Sequence, residues 1–367
     1  MGPISKDENA APLYQQLADR SEALTSVLFN LGEGTPAWRV GSTAALKPIE
    51  KDLALFERAA SLSDFRPAPE RERSDLNEEI GAIRSAAFIL RLRSQAEATQ
   101  GSPIGSLRTL QPLFQASKQF ARSPGVEEYQ LACDLAAQAM RGMEKAIAVG
   151  GSDPKFRAAA QAMLQDMDPL PNPKLAMRGQ WLRLRSFLEQ FDHGEIRYEE
   201  YSTKQRMFGT SRDYRLIQAV PALRARQELE TVRIFVDCYE AMPEDPRRIH
   251  LAVEATKRAS IQLAAGGFDR MIAWNFCNLP SAHSAGVPLA QRRVLSALLK
   301  ALDGPKTPKD LPVTGEDAID PFSGGELGYH ATPKAIRIWS VGVDQVDGKG
   351  SSAGDIVAVW PPEKSRP

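Results

Sequence analysis

The chain has 367 residues, of which 43% are hydrophobic and 25% charged, the proportions of a folded protein with a sizeable core and not of a disordered one. Forty-six Lys and Arg residues balance forty-six Asp and Glu, so no bulk charge draws the chain to nucleic acid or to an anionic membrane surface. No run approaches the roughly 18 apolar residues of a membrane-spanning helix, and the opening "MGPISKDENAAPLY" lacks the charged and apolar regions of a secretory signal.

In chain order, Leu13, Leu17, Leu24, Val27, Leu28 and Leu31 recur at three, four and seven residues, with Pro12 at the start and Gly32 after the last. This spacing predicts one amphipathic helix. A second helix is expected over residues 46–60, and the prolines and charges of "LSDFRPAPERERSD" predict a loop after it. Ile80, Ile83, Ala87, Leu90 and Ala98 mark a longer helix. Leu107, Leu110, Phe114 and Phe120 mark another, with Pro112 near its start, and a third covers residues 126–149. Antiparallel helical hairpins with short turns are the economical arrangement of these elements.

"DMDPLPNPKLAMR" concentrates three prolines and is the candidate boundary between an N-terminal helical region, residues 1–166, and a central one, residues 175–303. Helices are expected there over residues 175–191, 217–239, 248–264 and 290–302. The repetition lacks the ~34-residue self-similarity of tetratricopeptide arrays. Strand-like composition is confined to "AIRIWSVGV" and "DIVAVW", which predict a small antiparallel sheet in a cap over residues 317–362. The fold class is thus mainly α, an irregular array of antiparallel helical hairpins closed by a C-terminal β cap.

The motifs of common chemistries do not assemble in this sequence. His193, His250, His283 and His330 form no His-Glu-x-x-His pair, and Cys133, Cys238 and Cys277 are too far apart for paired metal-ligand spacing. The cysteines read as small buried apolar residues, with one disulfide as the alternative. Neither "VGSTAA" nor "PFSGGE" is a nucleophile elbow, and "NLGEGTPAW" lacks the Gly-Lys-Ser/Thr end of a phosphate loop. The carboxylates Asp192, Glu195, Glu199 and Glu200 read as a solvated acidic face.

Two stretches remain as candidate sites. "FDRMIAWNFCNLPSAHSAG" mixes apolar walls with polar groups, so Trp274, Asn275, His283 and Ser284 are candidate ligand-binding residues; the alternative is a core helix end followed by a loop. In the tail, Asp344, Asp347 and Asp355 stand among Gly342, Gly348, Gly350 and Gly354, a composition that suits an oxygen cage for calcium. The alternative there is a β-hairpin whose turn is Asp/Gly-rich.

The succession "DPFSGGELGYH", "IRIWSVGVDQVDGKG" and "GDIVAVW" resembles the carboxyl-terminal segment of type II secretion major pseudopilins. It also resembles the ending of large envelope proteins of planctomycete-type bacteria, whose entry "ENAAPLYQQL" resembles. The resemblance covers about a tenth to a fifth of the chain. It implies a turn at Asp320 and Pro321, a strand end at Ser340, Gly342 and Asp344, and an ion loop at Asp347 and Asp355. It further implies a place in the cell envelope or periplasm, with membrane attachment only through an anchor absent from this sequence. "MGP" before a polar run also fits a start from which a leader or anchor was removed. The expected function is a non-catalytic helical scaffold with a protein partner or self-assembly, without nucleic acid. The alternative is a ligand-binding protein or an enzyme acting on a cell-wall or glycan substrate near residues 274–284.

Overall fold

The structure is a computed structural model that describes residues 8–30, 46–66, 73–168, 170–193, 216–217, 219–264, 281–304, 310–350 and 354–362. Among them are eleven α-helices: α1 (Ala11–Ala18), α2 (Ser21–Asn30), α3 (Glu50–Ala60), α4 (Arg73–Thr99), α5 (Pro103–Ala121), α6 (Val126–Gly150), α7 (Pro154–Gln165), α8 (Pro173–Asp192), α9 (Pro221–Ala241), α10 (His250–Ala264) and α11 (Ala282–Asp303). Three strands follow, β1 (Gly328–Ala331), β2 (Ile336–Ser340) and β3 (Ile356–Trp360). The protein is therefore mainly helical with a small antiparallel sheet near its C-terminus, as the periodicity and composition predict.

Prolines set several helix starts. Pro occupies the first turn of α1, α5, α7 and α9, where its missing N–H is one the helix leaves unbonded in any case. At α7 the Asp153 side chain also accepts a 2.9 Å hydrogen bond from Lys155 N, satisfying one of those orphan donors.

The long helices α4, α5 and α6 pack side by side as the centre of the molecule. On one side α1 and α3 cover α4; on the other, α11 lies against α6 and carries the sheet on β2 and β3. An outer layer runs from α8, which touches α6, to α9 and α10. Turns of a few residues at 100–102, 122–125 and 151–153 keep successive helices antiparallel. One hydrophobic cluster extends from Ala10 to Ala358 and so takes in both the helices and the sheet.

At the N-terminal side of this cluster Tyr14 is fully buried among Phe56, Phe65 and Phe120, with ring centroids 6.0, 6.0 and 5.3 Å away. Its hydroxyl donates 2.9 Å to Gln119 Oε1, and Gln119 Nε2 donates to the carbonyl oxygens of Ala59, Ala60 and Leu62. A buried amide thus caps the C-terminal end of α3, whose last carbonyls have no partner within the helix.

Several elements differ from expectation. The single helix predicted from Pro12 is two, α1 and α2, broken where Arg20 N turns back to Leu17 O at 3.2 Å; Leu17 and Leu24 are nonetheless both buried. Leu31 and Gly32 lie outside the described residues. The expected loop before α4 ends at Arg73, so Ser74 and Asp75 are helical. Pro112 stands well inside α5, and the helix continues through it. The short helix α7 was not foreseen, because its apolar set, Phe156, Ala160 and Leu164, is sparse. Helix α11 begins eight residues before the predicted 290, with Pro288 inside it.

In the cap, β2 pairs antiparallel with β3, Ile338 opposite Ala358, as "AIRIWSVGV" and "DIVAVW" predict. The third strand, β1, was not anticipated and pairs with the other edge of β2, giving the order β1-β2-β3. Gly328 sits opposite Trp339, and a Cβ there would meet the indole at 1.9 Å, so the ring occupies the space a side chain would need. Ile336 and Ile338 are buried where α11 meets the sheet.

Candidate functional site

Of the four candidate ligand residues, Trp274 and Asn275 lie outside the described residues, as does Cys277. His283 and Ser284 stand in the first turn of α11 instead of in a loop. The His283 ring stacks on Phe322, with centroids 6.1 Å apart and planes 17° from parallel. Ser284 Oγ accepts a 3.2 Å bond from Gln130 Nε2, and the preceding Ser281 carbonyl accepts a 2.7 Å bond from Tyr129 Oη. Both candidates therefore serve the seam where α11 leaves α6 and meets the cap.

Among the other titratable candidates, His193 follows the end of α8 and His330 is exposed on β1 opposite Arg337. Glu195, Glu199, Glu200 and the Asp192 side chain lie outside the described residues. Cys133 and Cys238 are buried free thiols. Burial raises the thiol of each, that of Cys238 to about 11, so neither is primed as a nucleophile.

The junction between body and cap turns on a residue that sequence reasoning missed. Arg293 is 2% exposed on α11, and its guanidinium donates from Nη1 to Ile319 O (2.7 Å) and from Nη2 to Arg247 O (2.8 Å). Desolvation lowers its pKa to about 10, and Arg292 adds to the lowering while Asp317, Glu316 and Asp320 oppose it. A legible signal existed: Gly286, Leu289, Ala290, Arg293 and Ala297 share one helical stripe, and a charge inside an apolar stripe needs buried partners. Beside it Asp168, in the stretch read as a boundary, accepts from Arg247 Nη2 at 2.9 Å and Arg292 Nη1 at 3.4 Å.

His250 opens α10 and lies with its ring against Gly324 of the cap. Its Nδ1 is buried without a hydrogen-bond partner. Burial lowers its pKa, as do Arg293 and Arg248, with Glu316 and Asp320 pulling the other way.

Within the cap, Asp320 is fully buried and organises the turn that follows it. Its Oδ1 accepts from Phe322 N (2.7 Å) and Ser323 N (3.2 Å), while Oδ2 accepts from Val341 N (2.7 Å). The turn and the strand end are thereby joined through one carboxylate, and Ser340 Oγ accepts from Gly342 N at 3.3 Å beside it.

The three candidate calcium ligands divide. Asp347 Oδ1 accepts from Trp339 Nε1 and from Lys349 N, both at 2.9 Å, and these bonds hold its pKa down. Asp344 Oδ1 accepts from Val346 N at 3.2 Å, and Asp355 Oδ1 from Gly348 N at 3.3 Å. Asp355 Oδ2 is buried and accepts no hydrogen bond, the kind of oxygen a hard cation takes. Among the described residues no three His, Cys, Asp or Glu side chains are grouped to hold a metal ion. No helix among the described residues is long and apolar enough to cross a membrane.

Compared with protein-family models, with curated proteins and with solved structures, the chain has no match.

Proposed function

We propose that the chain is a non-catalytic helical scaffold of the bacterial cell envelope or periplasm that binds a protein partner through the outer layer α8–α9–α10. The observation that carries this reading is apolar surface on that layer. Leu229 and Val236, seven residues apart on one face of α9, are 67% and 39% exposed, and Leu182 on α8 with Leu251 and Ile261 on α10 are also exposed. Single exposed leucines need no explanation, but several on three adjoining helices mark a surface that gains by being covered. The cap supports the reading as an end-piece: α11 and Arg293 bind it to the helical body, so it closes the array without forming a separate unit. The envelope location rests on the tail's resemblance alone.

The test is affinity capture from the native cell with the wild-type chain and with a Leu229→Glu, Val236→Glu variant, alongside fractionation of the endogenous protein. A specific partner retained by the first and lost by the second is expected, with the protein in the envelope fraction. Identical protein sets on both, or a purely cytosolic distribution, would refute the proposal.

A further inference from the structure

The loop residues 64–66, the turn between α5 and α6, and the middle of α8 enclose an open groove of about 810 Å³. That is the size of many small-molecule sites. Glu128, in the first turn of the 25-residue α6, lines it with 4% exposure, and its Oε2 accepts no hydrogen bond. Arg183 Nη2 from α8 stands 4.0 Å away, beyond hydrogen-bond reach. A polar oxygen buried in this state is costly unless something else supplies its partner.

The rest of the lining says what that partner is. Arg122, the C-cap of α5, faces the groove and spends Nη1 on Ser63 O at 3.0 Å. Arg183 is steadied by Glu127, and Arg66 by Asp64 at 3.6 Å. Planar guanidinium forks match an oxyanion, and the N-terminus of α6 adds a favourable dipole. Phe65 and Leu182 supply apolar wall for the remainder of a ligand.

We infer that this groove binds a carboxylate, which Arg122 and Arg183 hold as an ion pair while the Glu128 carboxyl, carrying a proton, donates to one of its oxygens. Burial favours the protonated form of Glu128 and Glu127 adds to this, while the residue's own backbone N–H, bonded to the carboxyl, and Arg183 oppose it. A second carboxylate at the groove raises the proton affinity further, so binding takes up a proton and strengthens as pH falls. The charged groups that face Glu128 are Glu127 on α6, Arg183 on α8, Arg122 at the end of α5, and Asp64 and Arg66 in the loop. The inference does not need the partner-binding reading, although Leu182 belongs to both surfaces, and the same carboxylate chemistry comes from a free small acid or from the C-terminus of a peptide.

Calorimetric titration with succinate, with N-acetyl-trialanine and with its C-terminal amide separates these sources. One or both acids are expected to bind and the amide to give no heat. Affinity should rise between about pH 7.5 and 5.5 with net proton uptake, read from buffers of different ionisation heat. Arg122→Ala, at an exposed position, should weaken binding about tenfold or more. Glu128→Gln, whose amide N–H replaces the carboxyl O–H, should keep binding and lose the pH dependence. Absence of heat with both acids, or equal affinity in the wild type and an Arg122→Ala, Arg183→Ala variant, would overturn the inference. So would unchanged pH dependence in Glu128→Gln.

Discussion

Arg293 Nη1 donates a 2.7 Å hydrogen bond to the carbonyl oxygen of Ile319, so a side chain rooted in the helical body holds the first residues of the cap. The same guanidinium reaches Arg247 O ahead of α10, and three segments distant in sequence meet on one buried cation. Net stability from such a group is modest, but its removal is expensive because two carbonyl oxygens lose their donors together. Arg293→Met, which keeps the length of the side chain and its apolar contacts, is expected to cost on the order of 3 kcal/mol. The loss should be local. Hydrogen exchange should quicken at the β2 amides while the amides of α5 and α6 keep their protection. Uniform loosening of the whole molecule would show that Arg293 does not act at this junction.

His250 makes the same junction sensitive to acid. Its folded pKa lies below the unfolded value of about 6.5 because burial and the nearby Arg293 and Arg248 disfavour the imidazolium. Above the unfolded value the ring is neutral in both states and contributes nothing. As pH falls through about 6.5 the unfolded chain takes the proton first, and the folded state loses relative stability until its own pKa is passed. Denaturant midpoints between about pH 7.5 and 5.5 should therefore fall more steeply for the wild type than for His250→Gln. Parallel curves would remove His250 from the account.

Asp347 offers a way to separate turn hydrogen bonding from ion binding in the tail. Its carboxylate accepts the Trp339 indole N–H, so Asp347→Ala is expected to disturb Trp339 in a chelator as much as in calcium. The expected readout is an altered tryptophan emission and a lower melting point, equal in both media. An effect confined to calcium, together with calorimetric heat that an Asp344→Ala, Asp347→Ala variant loses, would restore the ion loop as the main role of these aspartates.

What could be read from the sequence follows from what periodicity records. A stripe such as Leu131, Leu135 and Met143 fixes a helix and its buried face, and α6 follows it residue for residue. The β-rich composition of "AIRIWS" and of "DIVAVW" likewise predicts β2 and β3 and their pairing. Neither pattern shows how distant segments meet. The four-residue β1 carries no alternation of its own and exists because β2 offers it an edge. His283 and Ser284 read as pocket residues in a line of text, and the approach of Phe322 and Gln130 to them is not legible there. Glu128 and Arg122 were invisible as a pair of interest, since a Glu in the first turn of a helix and an Arg at the end of the preceding one are ordinary local choices. Arg293 was legible in principle, as a cation in an apolar stripe, though its acceptors were not.

Gln119 provides the last prediction, because it was another polar residue at a core position. Its amide receives the Tyr14 hydroxyl on one side and gives its own N–H groups to the end of α3 on the other, all within the aromatic cluster. Gln119→Leu replaces it with a side chain of similar bulk that neither accepts nor donates. The Tyr14 hydroxyl and the α3 carbonyls then stay buried without partners, at a cost of about 2–3 kcal/mol. Tyr14→Phe removes the hydroxyl alone and should cost about 1 kcal/mol, since its ring contacts with Phe56 and Phe120 are kept. In the double variant the hydroxyl and its acceptor disappear together. The combined loss should therefore be smaller than the two single losses added, by about 1 kcal/mol, in a chemical-denaturation cycle. Strict additivity would mean that Tyr14 and Gln119 contribute independently and that the network joining α1, α3 and α5 is not cooperative.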